Sequence, residues 1–111
     1  MFGFTGNSLE KLVQKGNWEK IRKSYLNGDP QTQMDLAKAC AASKSDDCVN
    51  VLIALLDVGN DEVQIEALKS LALVANNHAV APLQQYLTRL KPEQSKLKAQ
   101  FQETLNVLRA Q

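Results

Sequence analysis

The sequence predicts an all-α protein of about seven helices, and three observations lead to that prediction. Helix start and stop signals divide the chain at short, regular intervals. No segment shows the alternation of apolar and polar residues that a half-buried strand needs. The order of signals and apolar residues also repeats along the chain. Together these features favour helices joined by very short turns.

The predicted helix starts carry side chains that can accept a hydrogen bond from the free amides of the first turn. In chain order these candidate N-caps are Ser8, Asn17, Asp29, Ser45 and Asn60. The strongest is Asp29, because the proline that follows it fits the first helical position. The predicted helices cover residues 8–15, 18–26, 29–42, 46–58, 61–75, 78–90 and 93–110.

The predicted helix ends are marked as well. Gly16, Gly28 and Gly59 stand just past three of them, where glycine commonly terminates a helix. Asn76 and the asparagine after it indicate a turn, and Pro92 forces a break before the last helix.

Composition excludes several classes of protein. Of 111 residues, 44% are hydrophobic and 23% are charged, which is enough for one domain with a modest core. Thirteen Lys or Arg against twelve Asp or Glu give a net charge of +1, so no global field attracts nucleic acid or a membrane surface. The chain has no apolar run of transmembrane length and begins without the features of a secretory signal. We therefore expect a cytoplasmic protein that does not engage a membrane.

An internal repeat predicts the architecture. Shifting the sequence on itself by 31 positions brings start signals, stop signals and apolar residues into register. The last helix joins the register after six extra residues around Pro92. Corresponding pairs include Gly28 with Gly59, Asp29 with Asn60, Leu52 with Leu83, and Leu68 with Leu105. A two-helix unit of this length cannot bury its apolar face alone, so stacked units in an α-solenoid are expected.

Two stretches resemble a known family. Residues 57–71 resemble the inter-helix turn and second helix of a HEAT repeat. Residues 79–87, AVAPLQQYL, are similar to the AVxPLxxxL first helix of short HEAT-like repeats of the phycobilisome-lyase type. Gln64 departs from the family pattern, which often has arginine there. The resemblance covers residues 17–111 and implies a short right-handed solenoid of stacked helix pairs.

The repeat divides the single domain, residues 1–111, into a cap and three units. Residues 1–16 form the N-terminal cap helix, and the units cover 17–47, 48–78 and 79–111. Phe2 and Phe4 are expected to cover the open end of the first helix. Trp18 and Tyr25 fall on positions that correspond to core residues and are expected to pack inside.

The predicted partner surface lies on the second helices of the units. In HEAT-like stacks these helices line the concave face, and the repeat offsets place acidic and lysine positions beside one another along it. The candidate binding residues are Asp35, Lys38, Glu66, Lys69, Leu73 and Glu103. The alternative is that Asp35 with Lys38, and Glu66 with Lys69, are ordinary i,i+3 pairs on a solvated helix surface.

Charge is segregated along the chain. Residues 1–28 and 76–111 each hold five Lys or Arg and two acids, whereas residues 29–75 hold three lysines and eight acids. An alternative function is therefore nucleic-acid binding through the basic N-terminal helices, although the acidic centre argues against it. Its candidate residues are Lys11, Lys15, Lys20, Arg22 and Lys23.

Catalytic signatures are missing from the sequence. His78 is the one histidine, and Cys40 and Cys48 belong to no metal-binding motif, so we expect no metal, no cofactor and no catalytic residue. The two cysteines are expected to be thiols rather than a disulfide. The predicted function is a non-enzymatic module or scaffold that binds a protein or peptide, as a monomer or weak homo-oligomer. An accessory subunit of an enzyme is a further alternative.

Overall fold

The computed structural model describes residues 4–42 and 45–110, and seven α-helices run through them. Neither of these two stretches contains a β-strand. The helices are α1 (Phe4–Lys15), α2 (Trp18–Ile21), α3 (Pro30–Cys40), α4 (Asp46–Ala54), α5 (Asp61–Val74), α6 (Val80–Thr88) and α7 (Ser95–Arg109). Three short turns accompany them, a π-helical turn at Arg22–Leu26 and 3₁₀ turns at Leu55–Asp57 and Asn77–Ala79. For the described residues, the all-α prediction is confirmed.

Three of the predicted N-caps form the expected side-chain hydrogen bond. The amide of the third helical residue donates to the cap in each case, namely Thr32 to Asp29 at 2.8 Å, Cys48 to Ser45 at 3.2 Å and Val63 to Asn60 at 3.1 Å. The Thr32 hydrogen bonds hold the pKa of the Asp29 carboxyl below its usual value, because they favour the charged form. Local chemistry therefore determines where α3, α4 and α5 begin.

The first predicted helix start is corrected, and the second is confirmed at Trp18 but without its predicted side-chain cap. Helix α1 begins at Phe4, so Ser8 lies inside the helix and does not cap it. No proline interrupts residues 4–8, and helix α1 continues toward the N-terminus while packing against α3. Asn17 does occupy the N-cap position of α2, but its side chain makes no capping bond. Its ψ of 65° differs from the extended backbone of Asp29, Ser45 and Asn60, and the preceding Gly16 has a φ of +71°.

Other boundaries shift by a few residues for identifiable reasons. Helix α4 stops at Ala54 because the chain tightens into a 3₁₀ turn, and the side chain of Gln64 binds the carbonyls at its end. Helix α7 starts at Ser95 rather than at Glu93. There Gln94 Oε1 accepts a hydrogen bond from the Lys91 amide at 2.9 Å, which holds residues 91–94 in a separate turn.

The helices pack in a defined order. Helices α1, α3, α5 and α7 contact one another in succession, and we call them the central row. Helix α4 packs against α3 and α5, while α6 packs against α7. Helix α2 packs against α1, and its π-helical continuation packs against α3. Because α5 touches α3, α4 and α7, it is covered on three sides.

The buried side of α5 is the centre of the core. Its buried residues are Val63, Ala67, Leu68, Ser70, Leu71 and Val74. Leu52 of α4 is also fully buried, as predicted. Trp18 and Tyr25 are half-buried and pack against this core. The predicted capping by Phe2 and Phe4 lies outside the described residues and side chains.

Two buried hydroxyls join neighbouring helices of the central row. Ser70 Oγ on α5 donates to the carbonyl oxygen of Ala37 on α3 at 2.8 Å. Thr104 Oγ1 on α7 donates to the carbonyl oxygen of Leu68 on α5 at 3.0 Å. A buried hydroxyl needs such a partner, since an unpaired one is costly. These bonds therefore bring particular positions of adjacent helices together.

The core position of Leu68 generates a stability prediction. Leu68 is 0% exposed, whereas the next residue, Lys69, is exposed. Leu68→Ala should reduce the free energy of unfolding by about 2–5 kcal/mol through lost burial and a cavity. Lys69→Ala should change it by less than about 0.5 kcal/mol. Urea denaturation of both variants measures this, and a larger loss for Lys69→Ala would contradict the orientation of α5.

The Thr104 hydroxyl generates a second prediction. Thr104→Val keeps the shape and β-branching but removes the bond to Leu68, so unfolding should become easier by about 1 kcal/mol. The matched control is Thr88→Val, whose exposed hydroxyl bonds only to the Gln85 carbonyl of its own helix. Thermal unfolding should separate the two variants. Equal melting temperatures would mean that the inter-helix bond contributes nothing.

Candidate functional site

The central row leaves part of α5 uncovered. The residues on this uncovered side recur at helical spacing and are Glu62, Glu66, Lys69 and Leu73. Glu62, Lys69 and Leu73 are exposed, and Glu66 is half-buried. Leu73 has 65% of its surface exposed and is one of two exposed large hydrophobic residues in the described chain. The exposed Leu73 thus lies one helical turn beyond Lys69 on the same side of α5.

The corresponding positions of α3 and α7 are also uncovered. Asp35 is half-buried and Lys38 is exposed on α3, while Glu103 is exposed on α7. On each helix the buried residues lie on the opposite side. We call the surface that comprises Asp35, Lys38, Glu66, Lys69, Leu73 and Glu103 the α3–α5–α7 face. Three adjacent helices thus contribute to it, with α5 in the middle.

The buried hydroxyl bonds indicate the register of this face. Ser70 contacts Ala37 across 33 residues, and Thr104 contacts Leu68 across 36 residues. The repeat that aligns Asp35 with Glu66 has an offset of 31 residues, and Glu103 follows Glu66 by 37. The bonds agree with these offsets to within about two residues, or about 3 Å along a helix. The repeat predicts that the three helices run in the same direction, and in that arrangement the three carboxylates lie at similar heights on their helices.

Among the described residues, the charged side chains of the α3–α5–α7 face form no salt bridges. In the described residues one salt bridge is found, between Lys23 and Glu19 at 3.4 Å. The i,i+3 pairs of Asp35 with Lys38 and of Glu66 with Lys69 do not form salt bridges there. Salt bridges within a helix therefore do not explain why these charged residues occur on this face.

Two of the carboxylates have amide neighbours. Gln31 Nε2 donates to Asp35 Oδ1 at 3.1 Å, and Gln100 Nε2 donates to Glu103 Oε2 at 3.2 Å. Each bond lies within one helix and leaves the second carboxylate oxygen available. The two outer carboxylates are thus each oriented by one amide hydrogen bond.

Sequence reasoning missed two glutamines that shape the turns. Gln33 Nε2 donates to the Leu26 carbonyl at 2.8 Å, and Gln64 Nε2 donates to the carbonyls of Leu56 and Val58 at 2.7 and 2.8 Å. The two glutamines lie 31 residues apart, so the repeat offset was a signal for their common role. Gln64 stands where the HEAT pattern often has arginine, and its amide ties the start of α5 to the turn before it.

A crevice of about 240 Å³ lies beside these turns, where α4 and α6 end and α5 and α7 begin. At its edge Tyr86 Oη donates to Asp57 Oδ1 at 2.9 Å, and the Arg89 guanidinium lies 5.7 Å from the centre of the Tyr86 ring. Partial burial and the Asp57 carboxylate raise the pKa of Tyr86. Gln94 Nε2 donates to Asp61 Oδ1 at 2.9 Å. These contacts tie the two inter-helix turns together, and no sequence pattern indicated them.

The other sequence-derived candidates are separate from this face. The basic residues of the nucleic-acid alternative, Lys11, Lys15, Lys20, Arg22 and Lys23, are all exposed on α1, α2 and the π-helical turn. Cys40 and Cys48 are free thiols and both are buried, whereas His78 is exposed. Burial raises the pKa of the Cys40 thiol, which disfavours the thiolate that nucleophilic catalysis needs.

Across residues 4–42 and 45–110, no group of three or more His, Cys, Asp or Glu side chains is arranged to hold a metal ion. In the same part of the chain, no helix has the length and apolar character required to cross a membrane.

Comparison of the chain with protein-family models, with curated proteins and with solved structures found no match.

Proposed function

We propose that this protein is a non-enzymatic interaction module that binds a protein or peptide on its α3–α5–α7 face. The proposed architecture is a short right-handed HEAT-like α-solenoid, in which that face is concave. The internal repeat and the succession of contacts along the central row support this arrangement. Solenoids of this kind commonly bind partners along such surfaces.

The observation that carries the proposal is the set of unpaired charges around Leu73. Five charged side chains on three adjacent helices have no salt bridge within the described chain, and Leu73 is exposed among them. Charged groups beside an apolar contact allow a partner to be oriented by charge and held by burial. The rest of the domain then acts as a scaffold that keeps this surface rigid.

The nucleic-acid alternative has less support. Its basic residues are exposed, but Trp18 and Tyr25, the aromatic residues nearest to them in sequence, pack against the core. Non-specific binding of single strands usually needs exposed aromatic rings on which bases stack. The acidic segment over residues 29–75 further weakens attraction to phosphates.

A charge exchange on the central helix tests the proposed face. Glu66→Lys/Lys69→Glu keeps the net charge but reverses the local pattern, so partner capture from an extract of the native cells should fall at least about tenfold. Mass spectrometry of the captured proteins measures this.

The matched control is Glu93→Lys/Lys96→Glu, which makes the same exchange between two exposed residues near the start of α7. Capture should be unchanged by the control. A partner that is retained by the Glu66/Lys69 variant, or lost equally with both variants, would contradict binding at the α3–α5–α7 face.

A further inference from the structure

We infer that the partner segment is an α-helix that carries Lys or Arg at seven-residue intervals and crosses α3, α5 and α7. The inference rests on the proposed function and specifies the partner of the same face. It follows from the spacing and sign of the charges on that face.

The spacing of the carboxylates comes from helix packing. Neighbouring packed helices lie about 8–10 Å apart. Asp35, Glu66 and Glu103 stand on three successive helices of the central row. In the proposed solenoid these helices run in the same direction, and the Ser70 and Thr104 bonds then place the three carboxylates at heights that agree to within about 3 Å. A path across the face therefore meets a carboxylate about every 10 Å.

An α-helix matches this spacing on one of its sides. Seven residues advance a helix by about 10.5 Å and return to within about 20° of the same direction. Side chains at i, i+7 and i+14 can thus reach Asp35, Glu66 and Glu103 in turn. An extended strand also advances about 10 Å from residue i to residue i+3, but the side chains of these two residues point to opposite faces of the strand. The recurring carboxylates consequently favour a helical partner.

The charge of the surface determines which helix fits. The three carboxylates form the acidic edge of the face. Asp35 and Glu66 lie in residues 29–75, which hold eight acids and three lysines, whereas Glu103 lies in residues 76–111, which hold five Lys or Arg and two acids. Basic side chains at the seven-residue positions complement this edge.

Residues of the central helix α5 indicate the character of the partner's second edge, the one opposite its basic residues. Glu66, Lys69 and Leu73 follow one another along α5, and Leu73 is about 10 Å beyond Glu66. That distance is comparable with the diameter of a helix with its side chains, about 10–12 Å. A crossing helix that places its basic residues over the carboxylates therefore brings its opposite edge to Leu73. The partner is an amphipathic helix with a basic edge and an apolar edge.

Two synthetic peptides of identical composition test the inference. Both have about 21 residues in an alanine-rich helical background with leucines on one edge. One carries lysine at i, i+7 and i+14, and the other carries it at i, i+5 and i+10, which scatters the charges around the helix. Circular dichroism verifies that the two peptides are equally helical. Fluorescence anisotropy at low salt then measures their binding to the full chain.

The peptide with lysine at seven-residue intervals should bind at least about fivefold more tightly than the scattered peptide. This difference in affinity should decrease as salt screens the charges. Glu66→Gln should weaken its binding about threefold and leave the scattered peptide unaffected. Glu93→Gln, the matched control, removes the same charge outside the face and should have no effect. Equal binding of the two peptides, binding of neither, or equal losses with Glu66→Gln and Glu93→Gln would overturn the inference.

The outcome is separable from that of the proposed function. If the captured natural partner is lost with Glu66→Lys/Lys69→Glu but neither peptide binds preferentially, the face binds a partner that is not this kind of helix. If the charge exchange leaves capture unchanged and the peptides also fail, both proposals are wrong.

Discussion

The burial of α5 on three sides is the constraint on which the remaining structure depends. Helices α3, α4 and α7 all pack against it, and its buried residues include four large hydrophobic side chains and one hydroxyl. Because apolar burial is the main favourable term in folding, these three sides are committed to stability. Only the uncovered side is available for a partner, and Glu66, Lys69 and Leu73 occupy it. The same packing that stabilises α5 thus decides which of its sides remains uncovered.

Buried hydroxyl groups add specificity to this packing. Apolar side chains alone tolerate small shifts between helices, whereas a hydroxyl that must reach one carbonyl oxygen does not. Ser70 and Thr104 each meet this requirement at one position of the neighbouring helix. A shift of α5 along α3 would leave the Ser70 hydroxyl buried without its acceptor. The spacing of charges on the surface is therefore controlled by polar groups in the interior.

Sequence reasoning succeeded where the deciding interactions are local. The caps at Asp29, Ser45 and Asn60 depend on the three residues that follow each, and the burial of Leu68 follows from helical periodicity. The predicted start of α1 at Ser8 was wrong, and the helix begins at Phe4. Tertiary packing and weak local signals decide this boundary. The contact of Tyr86 with Asp57 spans 29 residues and has no local signature. For the candidate site, helical periodicity predicted that its residues lie away from the core, and the repeat offset predicted their register. The hydrogen bonds of Ser70 and Thr104 come within two residues of that offset.

The absence of intrahelical salt bridges on this face has a physical explanation. An exposed i,i+3 or i,i+4 pair contributes only about 0.2–0.5 kcal/mol, so folding gains little from joining Glu66 to Lys69. The same charges contribute more when a partner covers them, because removal of water strengthens each interaction. In the proposed complex, the exposed Leu73 would supply the apolar contact that brings a partner close enough for this desolvation. Leaving these charges without salt bridges beside an exposed leucine therefore costs the fold little stability, which is compatible with the proposed binding role.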